Sequence, residues 1–259
     1  MKSLVKWSGG KAREIKNFKS FYPDNYQRFI EPFVGGGAVF FDLEHKKNVI
    51  NDVHVDLINF YQQIKNGYGN DIYNLMSQYP NEEKVYYFVR DEFKITNDIE
   101  RAFVFFYLRK TCFRGMLRYN KKGKFNIPFG RYKTYDYEIL KDKRYEELLK
   151  NTEIFNSSFE NIFEKYNNSE NFVFLDPPYD SVFTDYGYCQ YDKENHIELA
   201  NQFKQTKNKC LMVIGETPFI NKLYEGYIKT KYHKKYAFKI HSGRVGEEID
   251  NYHLIITNY

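Results

Sequence analysis

Four consecutive residues, Asp176-Pro177-Pro178-Tyr179, bring together a carboxylate, two prolines and an aromatic ring directly after the apolar run Phe172–Leu175. Such a run reads as a strand buried on both faces, and open α/β sheets bind ligands at the carboxyl ends of their strands. The prolines remove two backbone donors and stiffen the segment, so the Pro177 carbonyl can stand as a fixed acceptor near the Asp176 carboxylate. Two adjacent acceptors suit a conjugated amine. The lone pair of an adenine amino group is delocalised into its ring. A carboxylate and a carbonyl accepting its two N–H bonds favour a pyramidal nitrogen and stabilise the positive charge that grows there during alkylation. Tyr179 can stack on a base drawn out of a helix. This chemistry requires neither a covalent nucleophile nor a metal.

The alkyl donor has a candidate seat upstream. Glu31-Pro32-Phe33-Val34-Gly35-Gly36-Gly37 lies between an expected strand and an expected helix, where glycines permit a tight turn and close backbone approach. Asp52 ends the next strand, a position from which an acid accepts ribose hydroxyls. These features point to an adenosine-containing cofactor. G-x-G-x-x-G and G-x-x-x-x-G-K-[ST] are both absent, which argues against a dinucleotide and against ATP. S-adenosylmethionine has no phosphate and carries a sulfonium cation, which Glu31, Asp52 and Asp176 would surround with carboxylates.

Alternating elements must position these groups. The sequence predicts strands at Tyr26–Phe33, Asn48–Asn51, Thr152–Phe155, Phe172–Leu175, Cys210–Ile214 and Tyr252–Thr257. Helices are expected near 38–44, 56–65 and 194–204. A glycine-rich loop at 242–246 precedes the last strand. Residues from about 70 to 112 read mainly as helices. Phe113–Tyr119 and Phe125–Phe129 then flank Asn120-Lys121-Lys122-Gly123-Lys124 as a β-hairpin within 113–132. The expected architecture is therefore α/β, a Rossmann-like sheet of residues 1–65 and 145–259, interrupted at 66–144 by a helical and hairpin insertion.

Charge marks the insertion as a polyanion-binding element. Nine basic residues and no acid lie between Arg109 and Tyr135 (Arg109, Lys110, Arg114, Arg118, Lys121, Lys122, Lys124, Arg131, Lys133), while the whole chain of 259 residues carries only +5. The rest of the protein is thus net acidic, and the basic stretch has the footprint of a nucleic-acid contact. Arg118 is the best base reader, since a guanidinium can contact guanine bidentately. Phe125 and Phe129 are expected to pack the hairpin onto its helices, whereas Phe113 and Tyr119 could fill the gap of a flipped base. Lys231–Lys239 is basic too and reads as a solvated strand and helix surface. No apolar run reaches membrane-spanning length, and no signal-peptide apolar region is present. Cys112, Cys189 and Cys210 and the six histidines lack disulfide or metal-ligand spacing. A soluble, reducing, cytoplasmic setting without a metal site is expected.

Asp-Pro-Pro-Tyr together with Glu-Pro-Phe-Val-Gly-Gly-Gly resembles the Dam-type, α-group DNA adenine-N6 methyltransferases. The order of parts is similar as well: cofactor loop, recognition insertion, catalytic tetrapeptide. Lys6-Trp7-Ser8-Gly9-Gly10-Lys11 resembles that family's additional cofactor motif. Phe113-Arg114-Gly115-Met116-Leu117-Arg118-Tyr119-Asn120, with Gly123 and Phe125–Tyr132, resembles its DNA-reading hairpin. The resemblance implies a site-specific, adenine-specific DNA methyltransferase fold and activity. It implies S-adenosylmethionine held by Trp7, Lys11, Glu31, Phe33, Gly35, Gly37, Asp52, Phe159 and Asp176. Asp176, Pro177, Pro178 and Tyr179 would hold the target adenine. Lys6, Phe113, Arg114, Met116, Arg118, Asn120, Lys122, Asn126, Pro128 and Arg131 would contact double-stranded DNA, with GATC the first sequence to consider and a cognate restriction endonuclease a conceivable companion. Arg114 stands where GATC-reading members often have Asn, and Gly215-Glu216-Thr217 replaces a Ser-Asn-Ser-like segment.

Three other readings share some of these features. The tetrapeptide also serves methylation of RNA bases and of protein glutamine amides. A non-catalytic DNA-binding homologue would keep the basic insertion, although the intact tetrapeptide and glycine turn argue against it. A nicotinamide dehydrogenase lacks both its fingerprint and a proton-transfer residue.

Overall fold

A computed structural model of the chain describes residues 1–120, 122–180, 191–234 and 251–259. Lys121, Cys189, the segment 235–239 and the glycine-rich loop at 242–246 lie outside the described residues.

The elements run α1 (Ile15–Phe18), β1 (Arg28–Glu31), α2 (Ala38–Leu43), β2 (Asn48–Asn51), α3 (Val55–Lys65), α4 (Gly69–Gln78), α5 (Glu83–Asp91) and α6 (Asp98–Thr111). They continue with α7 (Lys143–Lys150), β3 (Thr152–Phe155), α8 (Phe159–Lys165), β4 (Asn171–Leu175), α9 (Lys193–Gln205), β5 (Lys209–Gly215), α10 (Pro218–Leu223), β6 (Ile228–Lys234) and β7 (Asn251–Thr257). One seven-stranded sheet forms in the order β3-β2-β1-β4-β5-β7-β6. The first five are parallel, and β7 runs antiparallel between β5 and β6. This is the Rossmann-like α/β arrangement expected.

Chain order reverses between β1 and β4, which pair in parallel with Ile30 opposite Val173. Loops leaving neighbouring strands on opposite faces diverge there and open a crevice. Alternation along the strands fills both faces of the sheet. Phe172 and Phe174 join the core built with α1, α3 and α6, while Val173 and Leu175 join the core under α8, α9 and α10. All five residues of β4 are buried, so the strand that delivers Asp176 is fixed from both sides.

β1 is shorter than the sequence predicts because Pro32 has no N–H to continue the ladder. Edge strand β6 falls partly inside the segment read as solvated, and its burial is correspondingly intermittent. The helices α4, α5 and α6 interrupt the strand–helix alternation. Asn97 caps α6 by accepting from Glu100 N at 2.9 Å, and the helix stops at Cys112, which is extended.

The hairpin differs most from expectation. In place of a regular two-stranded ribbon there are two isolated bridges, Cys112 with Phe129 and Tyr119 with Phe125. The connection keeps antiparallel contacts, from Phe113 N to Pro128 O (2.8 Å) and from Asn126 N to Arg118 O (3.1 Å). The ladder breaks for local reasons. Phe113–Gly115 makes a single 3₁₀ turn with Arg114 and Gly115 at positive φ, and Pro128 cannot donate. Phe125 and Phe129 pack against the helical core, as their spacing suggested.

Candidate active site and the exposed basic loop

The carboxyl-end loops of β1, β2, β3 and β4 converge with residues 7–11 around a cavity of about 260 Å³. Its lining contains Trp7, Lys11, Glu31, Phe33, Gly35, Asp52, Phe159 and the whole Asp176–Tyr179 tetrapeptide. Residues separated by up to 188 positions in sequence, from Trp7 to Asn195, thus share one opening. Gly37 is the exception among the residues expected there: it is buried behind the turn, where an added Cβ would meet Phe41 and Tyr61. Gly36 lines the cavity instead.

The glycine turn is held at both ends. Gly35 N donates to Asp52 Oδ2 (2.9 Å), and Tyr61 OH donates to Gly35 O (2.8 Å). Asp52 Oδ1 accepts from His54 N at 2.9 Å. Trp7 lies on the turn so closely that a Cβ on Gly35 would sit 2.6 Å from its Cδ1. The glycine therefore admits both the positive φ and the indole.

Electrostatically the cavity is over-supplied with carboxylates. Glu31 accepts from Phe40 N at the start of α2 (3.1 Å), yet burial and the neighbouring Asp176 push its carboxyl well above the usual range. Burial pushes Asp52 up to about 6, against the pull of its backbone hydrogen bonds. Asp176 is also raised by burial and pulled back by Lys11. Lys11, itself 1% exposed, donates to Asp176 Oδ1 (2.5 Å), Tyr179 OH (2.8 Å) and Gly9 O (3.1 Å). The ion pair stands in the cavity wall beside the glycine turn, and Asp176 Oδ2 has no hydrogen-bond partner among the described residues. An ammonium on one oxygen therefore leaves the other available to a second N–H donor.

Behind this group lies a cluster that sequence reading missed. Glu14 accepts from Tyr232 OH (2.8 Å), contacts His253 Nδ1 (2.7 Å) and pairs with Lys234. Burial would raise its carboxyl, but His253 and Lys234 outweigh burial and hold it at about 2. The His253 ring meets Tyr179 edge-on at 5.4 Å. Glu14 follows Lys11 by three residues, and that spacing was its only sequence signal. On the next wall, Gly215 abuts the Tyr179 ring, Glu216 pairs with Lys231, and Thr217 Oγ1 donates to Asp180 (3.0 Å).

The basic stretch divides sharply. Arg109 is 1% exposed, so it belongs to the interior and not to the exposed basic patch. Its guanidinium donates to Lys6 O (2.6 Å), Met116 O (2.6 Å) and Gly115 O, and stacks over Trp7 at 5.5 Å. One buried fork thereby ties the N-terminal Lys6-Trp7 segment to the loop at 115–116. Lys110 is half-buried over Phe106. By contrast Arg114, Arg118, Lys122, Lys124, Arg131 and Lys133 are exposed, as are Lys6, Phe113, Met116, Asn120 and Pro128. Lys6 lies over Tyr132 and Arg114 over Phe113. Arg118 donates to Asn126 Oδ1 (2.8 Å), Arg131 faces Glu83 at 3.5 Å, and Asn120 Oδ1 accepts from Lys122 N and Lys124 N to close the turn. Tyr119 is committed elsewhere, with its hydroxyl on His54 Nε2 at 2.8 Å.

Among the described residues, no group of His, Cys, Asp and Glu could hold a metal, and no helix is long and apolar enough to cross a membrane.

A doubly wound sheet gathers a glycine turn, an acidic strand end and Asp-Pro-Pro-Tyr at its reversal point, the place where open α/β sheets bind ligands. The chain belongs to the D12 class of N6 adenine-specific DNA methyltransferases, whose pattern it matches over residues 7–240. It is 57% identical to the type II methyltransferase M.CviBI of Paramecium bursaria Chlorella virus NC1A over the full length of both chains. It is 36% identical to the type II methyltransferase M.MjaIII of Methanocaldococcus jannaschii, over all of this chain and 99% of that one. The DNA adenine methylase of Haemophilus influenzae is 29% identical across 86% of this chain and 82% of its own. The protein is a site-specific DNA methyltransferase acting at adenine N6.

Proposed function

We propose that the cavity binds S-adenosylmethionine and that the tetrapeptide receives an adenine extruded from double-stranded DNA. The observation that carries this reading is the placement of Asp176, with one oxygen unpartnered among the described residues, in the wall of the cavity that also contains the Gly35–Gly36 turn. Chemical fit supports the cofactor: a surplus of buried carboxylates, all three of them pushed towards protonation, favours a ligand bearing positive charge. Bound there, S-adenosylmethionine supplies an electrophilic methyl group. Asp52 accepts from ribose hydroxyls, Trp7 and the glycine turn pack against the ligand, and Glu31 and Lys11 set the charge around its amino-acid end.

Asp176 Oδ2 and the Pro177 carbonyl each accept an N–H of the adenine amine, and Tyr179 stacks on the ring. With S-adenosylmethionine bound, the nitrogen lone pair would accept its methyl group, leaving S-adenosylhomocysteine, and the surplus N–H proton would pass to Asp176 and then to solvent. A stacked base cannot reach a recessed carboxylate, so the adenine must leave the duplex first.

The unit formed by residues 66–144 reads the duplex. Exposed Arg114, Arg118, Lys122 and Arg131 engage phosphates or base edges, with Lys6, Asn120, Asn126, Met116 and Pro128 beside them and Phe113 at the vacated position. GATC is the first sequence to test, and Arg114 is the residue most able to change it. The type II relatives suggest a companion restriction endonuclease.

The test is Asp176→Ala. Methyl transfer to duplex DNA is expected to vanish while DNA affinity persists, since the basic loop is untouched. Substantial turnover by the variant would refute the assigned role.

A further inference from the structure

The basic loop and the wall of the cavity meet at one histidine. His54 lies two residues beyond Asp52, at the N-terminus of α3, and is buried. Its backbone N donates to Asp52 Oδ1 (2.9 Å), while Asp52 Oδ2 holds Gly35 N. Its ring meets the Trp7 indole edge-on at 5.6 Å. The groups that shape the cavity therefore also fix His54. Its Nδ1 accepts from Leu57 N (3.2 Å) and caps α3. Burial pushes the imidazole down to about 4, so the ring is neutral at neutral pH. With Nδ1 serving as acceptor, the ring proton sits on Nε2 and is donated to Tyr119 OH at 2.8 Å.

On the loop, exposure alternates. Met116, Arg118 and Asn120 are exposed, whereas Leu117 and Tyr119 are half-buried. This is the period of an extended chain, so Tyr119 reaches inward where its neighbour Arg118 reaches outward. Arg109 pins the loop at Gly115 and Met116. The bond from His54 is a second anchor, directly beside Arg118.

We propose that Tyr119 is a positioning residue for methyl transfer: anchored on His54, it holds the basic loop at a fixed place over the cavity, so that the base met by Arg118 and the adenine delivered to Asp176 keep one spacing. The proposal rests on reading the loop as the element that contacts the duplex, and it says how that contact is registered against the chemistry. A duplex sets the distance between a base that is read and an adenine that is extruded. A displacement of about 1 Å between reacting groups can cost about a hundredfold in rate. A loop without the anchor still binds DNA through its exposed cations, because phosphate contacts demand charge more than exact placement. What it loses is the register between recognition and transfer.

The experiment compares the wild-type protein, Tyr119→Phe, His54→Asn and the double variant, each as the full chain. The substrates are a duplex carrying the methylated site, mapped by sequencing DNA that the protein has methylated, and duplexes altered at one base of that site. Tyr119→Phe keeps the ring and removes only the hydroxyl. Its kcat on the mapped duplex is expected to fall about three- to tenfold, the range of one neutral hydrogen bond, and its preference over the altered duplexes to fall with it. The dissociation constant for S-adenosylhomocysteine should stay within about twofold, because the cavity is unchanged. His54→Asn retains a favoured cap for α3, but its shorter side chain does not reach Tyr119, so it should reproduce the Tyr119→Phe loss. The double variant should lie within about twofold of either single variant, since both remove the same bond. Wild-type kcat and preference in Tyr119→Phe would overturn the proposal. So would losses that multiply in the double variant, or a loss of S-adenosylhomocysteine affinity at unchanged kcat, the signature of a residue that merely supports the cavity wall. Undiminished preference in Arg118→Ala would instead overturn the reading of the loop beneath it.

Discussion

Replacing Gly35 by alanine tests the physical link between the glycine turn and the indole above it. Gly35 has φ +46°, and a Cβ there would lie 2.6 Å from Trp7 Cδ1 and 2.7 Å from Nε1. Two costs follow. A non-glycine residue in the left-handed region costs about 1–2 kcal/mol. Relieving the overlap adds about 1–3 kcal/mol, the usual cost of overpacking a close-packed site. Trp7 has little room to retreat, since Arg109 lies over its face and the His54 ring meets it at 5.6 Å. The expected total is about 2–5 kcal/mol. Gly226→Ala supplies the control: its φ is +84°, but nothing lies within 4 Å of the added methyl. It should cost only the backbone share, about 1–2 kcal/mol. Urea unfolding followed by circular dichroism measures both, and repeating Gly35→Ala in a Trp7→Ala background should recover the overlap share. Trp7 is the sole tryptophan and lines the cavity, so its fluorescence would report a ligand bound there. Equal costs at Gly35 and Gly226, or a Gly35 cost undiminished without Trp7, would refute the reasoning.

Three further expectations follow from the same geometry. Arg109→Ala should destabilise the protein by roughly 3 kcal/mol or more, because three carbonyls lose their donor inside the protein. Arg118→Ala should stay within about 0.5 kcal/mol in stability yet cost about 1–3 kcal/mol of discrimination at one base position; unfolding curves and relative methylation rates on cognate and altered sites check both, and the opposite pattern would contradict the division between buried and exposed arginines. With Asp52 raised to about 6, its share of the empty protein's stability is present at low pH and lost as pH rises through about 6. Ligand hydroxyls favour the ionised form, so thermal stabilisation by S-adenosylhomocysteine should grow between pH 5 and 7 at about constant ligand concentration; a profile in Asp52→Asn identical to that of the parent would assign the effect to another group.

Sequence alone was sufficient where chemistry and position are written in adjacent residues. Phe172–Leu175 is apolar throughout, so it had to be an interior strand, and Asp176 had to stand at its carboxyl end. Asn48–Asn51 and Thr152–Phe155 were legible in the same way, as was the glycine turn. Periodicity reports which face of an element is apolar and where that face ends, and these are local quantities. The packing of one element on another is not local. Nothing in the residues around Arg109 distinguishes it from Arg118, yet one guanidinium is enclosed by carbonyls from the distant Lys6 segment and from the loop just after its own helix, and the other is exposed. Glu14, His253 and Tyr232 come from the two ends of the chain and meet only because β7 lies beside β6 and residues 11–14 pack against that sheet edge. The hairpin looked regular from its alternating residues, but its positive-φ turn and Pro128 decided its hydrogen bonding. The sequence therefore determined the positions of most strands along the chain and the family to which the chain belongs. The tertiary structure alone decided which charges are buried, because burial and the resulting shifts in protonation depend on neighbours that no local pattern encodes.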